Sequence, residues 1–529
     1  MAAPPATPTR RSVLVRTTLS SLALASGALA MPALVRGAGA RPALPCGVQS
    51  GDVDAGSGVA WTRADRPSLV EFEWATTASF ADAVRLPAVA ALPETDFAVK
   101  CLLTGLPADQ EIVWRAVARD LSDVNAVSEP VTGRFRTAPA SRRSVKFVWS
   151  GDTVGQGWGI DEARGGMLTY AAMAARAPDF FIHSGDTVYA DGPLRETVAL
   201  ADGTVWRNLV TPAKAKVAET LDEFRGQWTY NLLDANLRAF NAAVPTFFQW
   251  DDHEVVDNWS PGKDLSADGR YTETSVARLS ARARRAFHEM TPIRRTPGAP
   301  GRIYRVIRHG PLLDVFFLDL RSYRGPNGPS LETAPTPEAR ILGAAQLAWL
   351  KRALAASTAT WKVIACDMPI GLVVWDDWRA KAGVEAVANG EDGAPKGREL
   401  EFAGLLSFIR RGGIDNVVWL TADVHYTAAH HYSPDRAAFQ DFEPFWEFVS
   451  GPIHAGTFGP NALDMTFGPE ARFVKAPGPD QGVNLPPSMG LQFFGEVEIE
   501  GATGVMTVRL LDSASTVLHA ETLEPARRG

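Results

Sequence analysis

The sequence predicts an α/β protein in which a small all-β module precedes a larger layered unit. Three observations carry this. From about Ser144 onward, short β-branched and aromatic runs alternate with amphipathic stretches. Between residues 44 and 137 the runs are short, alternate apolar with polar, and show no helical period. Several later runs also end on an acidic residue or a histidine. Val145–Ser150 leads into Gly151-Asp152, and Phe180–Ser184 into Gly185-Asp186-Thr187-Val188-Tyr189. Val244–Trp250 delivers Asp251-Asp252-His253-Glu254, Trp361–Cys366 delivers Asp367, and Val417–Leu420 delivers Asp423-Val424-His425.

Residues 1–40 come first and read as an export signal, outside the fold. Thr9-Arg10-Arg11-Ser12-Val13-Leu14 is a twin-arginine pattern, followed by a modest apolar region to Val35 and a small-residue cleavage site ending near Ala40. An uncleaved anchor is the alternative, but Ser20, Ser21, Ser26, Gly27 and Pro32 make a poor spanning helix. No later stretch is apolar enough to cross a bilayer. The expectation is an exported protein, periplasmic or extracellular, carried by the twin-arginine machinery.

Residues 44–137 contain Gly58–Thr62, Leu69–Trp74 and Glu111–Val117, with a turn at Thr104-Gly105-Leu106-Pro107. Such spacing suggests a small β-sandwich. Thr137–Ser141 is a linker, and residues 144–529 form the second unit. There, Gly166–Ala177, Leu221–Asn241, Arg278–Met290 and Ala344–Ala356 read as helices. Glu385–Arg398 is rich in Gly and charge, either a loop over the site or a solvated insertion. The tail, Gln492–Glu500 and Gly504–Leu511, reads as a hairpin on a sheet edge.

Hydrophobic content of 46% supports a large core, and a formal charge of −7 with pI near 5.8 argues against nucleic-acid binding. Cys46, Cys101 and Cys366 form no zinc spacing; Cys46 and Cys101 either pair in an oxidising compartment or stand as small hydrophobes, the reading favoured by their apolar context.

Runs this short and apolar read as strands buried on both faces. Ligands of open α/β sheets bind beyond the carboxyl ends of such strands. One Asp at a strand end is ordinary turn chemistry; five strands ending in metal-ligand types argue for a polynuclear metal site. Sorted by donor, Asp152, Asp186, Tyr189 and His425 suit an iron-type site, because phenolate recurs at ferric iron. Asp252, Asp367 and Asp423, with Asp186 bridging, form an all-oxygen set that selects Ca²⁺ or another hard divalent cation.

Gly185-Asp186-x-x-Tyr189, Asp252-His253-Glu254 and Asp423-x-His425 together resemble the calcineurin-like metallophosphoesterase superfamily. Trp250–Val255 with Asn258, after a twin-arginine signal, is most similar to the PhoD-like alkaline phosphatase/phosphodiesterases, which are related to purple acid phosphatases. The resemblance implies a four-layer α/β/β/α catalytic sandwich behind a fibronectin-III-like β-sandwich. It also implies Fe³⁺ with Ca²⁺, and hydrolysis of phosphate esters by metal-activated water. It makes His253 the catalytic residue facing the phosphate, and Asp251, Glu254 and Asn258 supporting or substrate-contacting groups. Where the superfamily carries Asp-x-His, this chain has Asp152-Thr153-Val154, so Tyr189 supplies the missing ligand. Asp252, Asp367 and Asp423 each replace a neutral ligand of that pattern, which favours Ca²⁺ over zinc. Two other readings stand beside a monoesterase with diesterase capacity: a dedicated phosphodiesterase of the phospholipase-D kind, and a non-enzymatic exported calcium-dependent binding protein.

Overall fold

The computed structural model describes residues 41–526. The export-signal reading of residues 1–40 lies outside them. Among the described residues, no helix is long and apolar enough to cross a membrane.

Residues 44–137 fold into two antiparallel sheets. One runs Val48–Gly51, Ser57–Arg63, Ala98–Thr104; the other centres on Ser68–Ala75, Glu111–Asp120 and Val131–Arg136. Period-two alternation explains the pairing: Ile112, Trp114, Ala116 and Ala118 are buried, while their neighbours along the strand are not. They share one core with Val70, Phe72, Ala60, Val99 and Leu103. Burying each larger apolar side chain contributes roughly 1.5–3 kcal/mol. Cys46 and Cys101 are free and buried, as is Cys366.

The remainder is built on two further sheets. In the first, Thr246–Phe248, Phe180–His183 and Val145–Ser150 are parallel neighbours. Phe493–Ile499 then pairs antiparallel with Val145–Ser150, followed by Met506–Asp512 and Val517–Leu523. The C-terminal hairpin therefore joins the sheet beside Val145–Ser150, and a third strand, which the sequence pattern does not announce, forms the edge. In the second sheet, Leu313–Phe317, Trp361–Ala365, Val417–Thr421 and Phe445–Val449 are parallel. Arg305–Arg308 flanks them on one side, Thr427–Tyr432 and Pro469–Lys475 on the other.

Alternate residues of these strands take different partners. Phe147, Trp149, Ile182 and Phe247 of the first sheet share a core with Val315, Phe317, Val363 and Leu420 of the second, and the Phe247 and Phe317 rings meet edge-on at 6.0 Å. Val148, Phe181 and Phe248 instead pack with Met173, Phe240 and Phe287 from helices. Ile364 and Trp419 pack with Leu350, Phe402 and Leu406. The run read as one helix over Leu221–Asn241 is two, Leu221–Asn231 and Ala235–Ala243. Asp234 divides them, capping the second through Leu237 N at 2.9 Å. The helix Glu399–Arg411 was not read from the sequence.

Candidate metal centre

Parallel register brings the strand ends together. His183 lies level with Ser150 and Phe248, so Gly151-Asp152, Gly185-Asp186 and Asp251-Asp252 emerge side by side. Ala365 lies level with Leu420, which sets Asp367 beside Asp423. The turns that follow are tight. Asp152, Asp186, Asp423 and His425 all adopt positive φ, at 66°, 50°, 67° and 61°, a conformation costing about 1–3 kcal/mol per non-glycine residue when overdetermined by its surroundings. Two glycines make room. Gly185, at φ +105°, passes where a Cβ would meet the Asp251 Cβ at 2.6 Å; a Cβ on Gly451 would stand 2.1 Å from Asp152 Oδ2.

Three donor groups result, each with its atoms mutually within 4.8 Å: Asp152, Asp186 and His425; Asp186, Asp252 and His253; Asp251, Asp252 and Asp423. Asp186 and Asp252 each belong to two groups. The Tyr189 hydroxyl is 2.8 Å from His425 Nε2, which lies 3.8 Å from Asp152 Oδ1. His425 Nδ1 is held by Gly456 O, so Nε2 is the nitrogen that faces Tyr189 and Asp152.

The chemistry of these donors fits cations. Both oxygens of Asp152 and of Asp367, Asp251 Oδ2 and Asp252 Oδ1 are buried without a hydrogen bond, although buried polar atoms are nearly always satisfied. Burial first, and then the charge on Asp251, hold the carboxyls of Asp152, Asp367 and Asp423 well above the usual carboxylate range. Asp186 is raised likewise, by burial and then Asp252 against the opposing pull of His253. Burial and the neighbouring Asp186 and Asp152 push the Tyr189 phenol up. A metal ion reverses that balance by favouring every anionic form.

The remaining predicted residues frame the centre. His253 Nδ1 lies 2.8 Å from Asp191 Oδ1, and its backbone N–H donates to Asp186 Oδ1 at 3.2 Å. Burial opposes a charged imidazole there, but Asp191, Asp252 and Asp186 outweigh it and raise the group well above its ordinary value. Glu254 accepts from the backbone N–H groups of Thr187, Asp251 and Asp186 at 2.7, 2.7 and 3.2 Å, tying two strand ends together. Asn258 contributes its backbone N–H to Asp252 Oδ2 and its side chain to Asp376 O at 3.0 Å. Asp251 faces inward as part of the third donor group rather than standing outside it.

Neighbouring polar and aromatic residues have partners of their own. His183 is enclosed and lies 2.9 Å from Thr153 Oγ1. Trp158 packs edge-on against Trp206 and donates to Asn484 Oδ1 at 2.9 Å. Arg324 and Arg398 are buried and each donates to the carbonyl of Glu385, while Arg324 Nε and Nη1 have no hydrogen-bond partner. Residues Glu385–Asn389 are buried too, while 390–395 are partly or largely exposed, so the segment is half anchored wall and half exposed loop.

Three participants escaped the sequence reading. Asp191 holds His253. Arg321 is enclosed among Asp251, Asp252, Asp367, Asp423 and Glu385. Glu385 pairs with Arg321. A signal existed for Arg321: the apolar run Val315–Leu318 ends in Asp319-Leu320-Arg321, as the other site strands end.

The chain is similar to known proteins. The family model described as PhoD-like phosphatase matches residues 147–510, and that described as PhoD-like phosphatase, N-terminal domain, matches residues 29–139. Alkaline phosphatase D of Bacillus subtilis (strain 168) is 30% identical over 436 residues, covering 78% of this chain and 70% of that one. A solved structure of PhoD superposes with a TM-score of 0.66 at 22% identity, over 91% of this chain and 89% of that one. A purple acid phosphatase, PPD1, from yellow lupin (Lupinus luteus) seeds superposes with a TM-score of 0.55 at 11% identity, over 92% and 74%. Both structures share the mixed α/β fold.

Proposed function

The chain belongs to the PhoD-like phosphatase family and so is a phosphoric ester hydrolase; from that premise we propose an exported binuclear-metal enzyme acting on phosphate monoesters and, with them, diesters. The observation that carries this reading is the convergence of Asp152, Asp186, Tyr189 and His425 with Asp252, Asp367 and Asp423, where both oxygens of Asp152 and of Asp367 and Asp252 Oδ1 are buried without hydrogen bonds. The phenol, imidazole and carboxylates of the first set suit Fe³⁺; the carboxylates of the second, sharing Asp186, suit Ca²⁺. Metal ions there would activate water and offset charge on the phosphoryl oxygens.

The chain's own groups do the rest. Asp191 fixes the His253 ring through Nδ1, so Nε2 is the nitrogen available to substrate. With Asp191 favouring its charged form, the imidazolium would donate to a phosphoryl oxygen and then protonate the departing alkoxide. Glu254 keeps Asp186 and Asp251 in register while this happens. The packing of alternate strand residues supports the four-layer α/β/β/α arrangement, and the two antiparallel sheets of residues 44–137 support a fibronectin-III-like module. Residues 1–40 support twin-arginine export with cleavage near Ala40.

The test is turnover of an aryl phosphate monoester and its diester by chelator-treated protein resupplied with iron and calcium, alongside elemental analysis. Monoester turnover that requires both metals is expected. Activity on the diester alone would reassign the enzyme as a dedicated phosphodiesterase, and metal loading without either activity would leave a binding protein.

A further inference from the structure

The carboxylate cluster already contains one cation. Arg321 follows the strand Leu313–Phe317, and its side chain is wholly enclosed. Its Nε donates to Asp251 Oδ1 at 2.5 Å and stands 3.2 Å from Asp367 Oδ2. Nη2 lies 3.5 Å from both Asp252 Oδ1 and Asp423 Oδ1, while Nη1 pairs with Glu385. The guanidinium thus reaches carboxylates on four separate segments: the end of Thr246–Phe248, the end of Trp361–Ala365, the end of Val417–Thr421, and the wall that begins at Glu385.

A guanidinium stays charged in proteins and presents its donors as a rigid planar fork. An ion pair built only to hold the fold needs one carboxylate, as Arg305 has in Asp52. Arg321 instead lies where carboxylates from both sheets meet, the position a hard cation would otherwise take. It does not saturate them: Asp251 Oδ2 and both Asp367 oxygens remain without a hydrogen bond.

We infer that Arg321 is a positioning residue acting as a built-in cation: it fills one cation position of the carboxylate cluster and so sets how many metal ions the remaining oxygens take up. This rests on reading the cluster as a metal centre. Without the guanidinium, the same oxygens form a vacant site of hard donors suited to a divalent ion.

The test counts ions rather than turnover. Full-length wild type, R321M and R321K are stripped with chelator, dialysed against Ca²⁺, and measured for calcium per chain and thermal midpoint. R321M is expected to bind one more Ca²⁺ per chain than wild type, with millimolar guanidinium displacing the extra ion. R321K, which keeps a cation, is expected to match wild type. Metal-free R321M should melt below metal-free wild type, and calcium should close that gap. An unchanged or lower calcium count in R321M overturns the inference. Should R321M not fold, R321Q purified in calcium is counted the same way; failure of both to fold in saturating calcium would make Arg321 a fold residue and also overturn it. Wild type that binds no calcium is a separate result, and would remove the metal-centre reading itself.

Discussion

Two buried acidic regions of this protein look alike in the sequence and differ in their bonding. Asp52, where the N-terminal module meets the rest, is saturated: Arg305 reaches it with Nε at 3.0 Å from each oxygen and Nη2 at 2.7 Å, and Arg294 N adds a bond at 2.7 Å. At the strand ends, Asp152 and Asp367 are as deeply buried, yet none of their oxygens accepts a hydrogen bond. One carboxylate is completed by the protein and serves the fold. The others are left incomplete, which a sequence under no other demand would avoid, because a buried polar atom without a hydrogen bond costs about 1–3 kcal/mol.

The largest effect separating the two regions is expected at Asp186, which belongs to two donor groups. Asp186→Ala should abolish turnover and metal occupancy together while the protein stays folded, since a repelling charge has gone. Near-normal kcat with metals retained would break the contrast. His253→Ala should come next, losing roughly 10²–10⁴-fold in kcat, the usual contribution of a positioned acid. Its metal content should match wild type, and loss of metal would make His253 a ligand instead.

Asp52→Ala should do the opposite. It leaves Arg305 buried and unpaired, a loss of about 3–5 kcal/mol in unfolding free energy, with kcat per folded molecule unchanged. Denaturant unfolding beside active-site titration would show it; a kcat defect without a stability defect would merge the two regions.

Metal removal sharpens the difference through pH. The carboxyls of Asp152, Asp186, Asp367 and Asp423 have folded values raised by burial and like charge. Above the ordinary carboxylate range the metal-free native state therefore holds more protons than the unfolded chain, and its stability falls as pH rises through that interval. The metal-loaded protein should show a flatter profile, restored better by Ca²⁺ than by Zn²⁺. Midpoints that rise with pH after chelation would contradict burial and like charge as the source of the strain. The smallest effect on the fold is expected from Tyr189→Phe: a visible phenolate-to-iron band should bleach and activity fall, with the thermal midpoint of the metal-free protein nearly unmoved. A colourless, iron-free and fully active wild type would return Tyr189 to the core.

The strand ends were legible because each was announced locally, by an apolar run closing on Gly-Asp, Asp-Asp-His or Asp-x-His. Asp191 was not, because its link to His253 spans 62 residues and nothing in Tyr189-Ala190-Asp191 indicates which way the second acid turns. Glu385 lay in a stretch whose Gly and charge content suited either a loop over the site or a solvated insertion, and in the fold it is buried with Arg321 on its side chain and Arg324 and Arg398 on its carbonyl. The helix Glu399–Arg411 begins directly after that stretch, and the loop composition masked its start.

By itself, then, the sequence determined the elements and the ligand types. Apolar runs of strand length must bury, and acids at their ends must sit where parallel strands stop. Only the tertiary structure decided which acids lie within reach of one another, because parallel register within each sheet, and the packing of one sheet on the other, set distances between residues more than 200 positions apart, as between Tyr189 and His425. It alone decided that Asp52 would be paired and Asp152 left open. A carboxylate's chemistry depends on which charges lie within a few ångströms of it, and that is a property of packing rather than of neighbours along the chain.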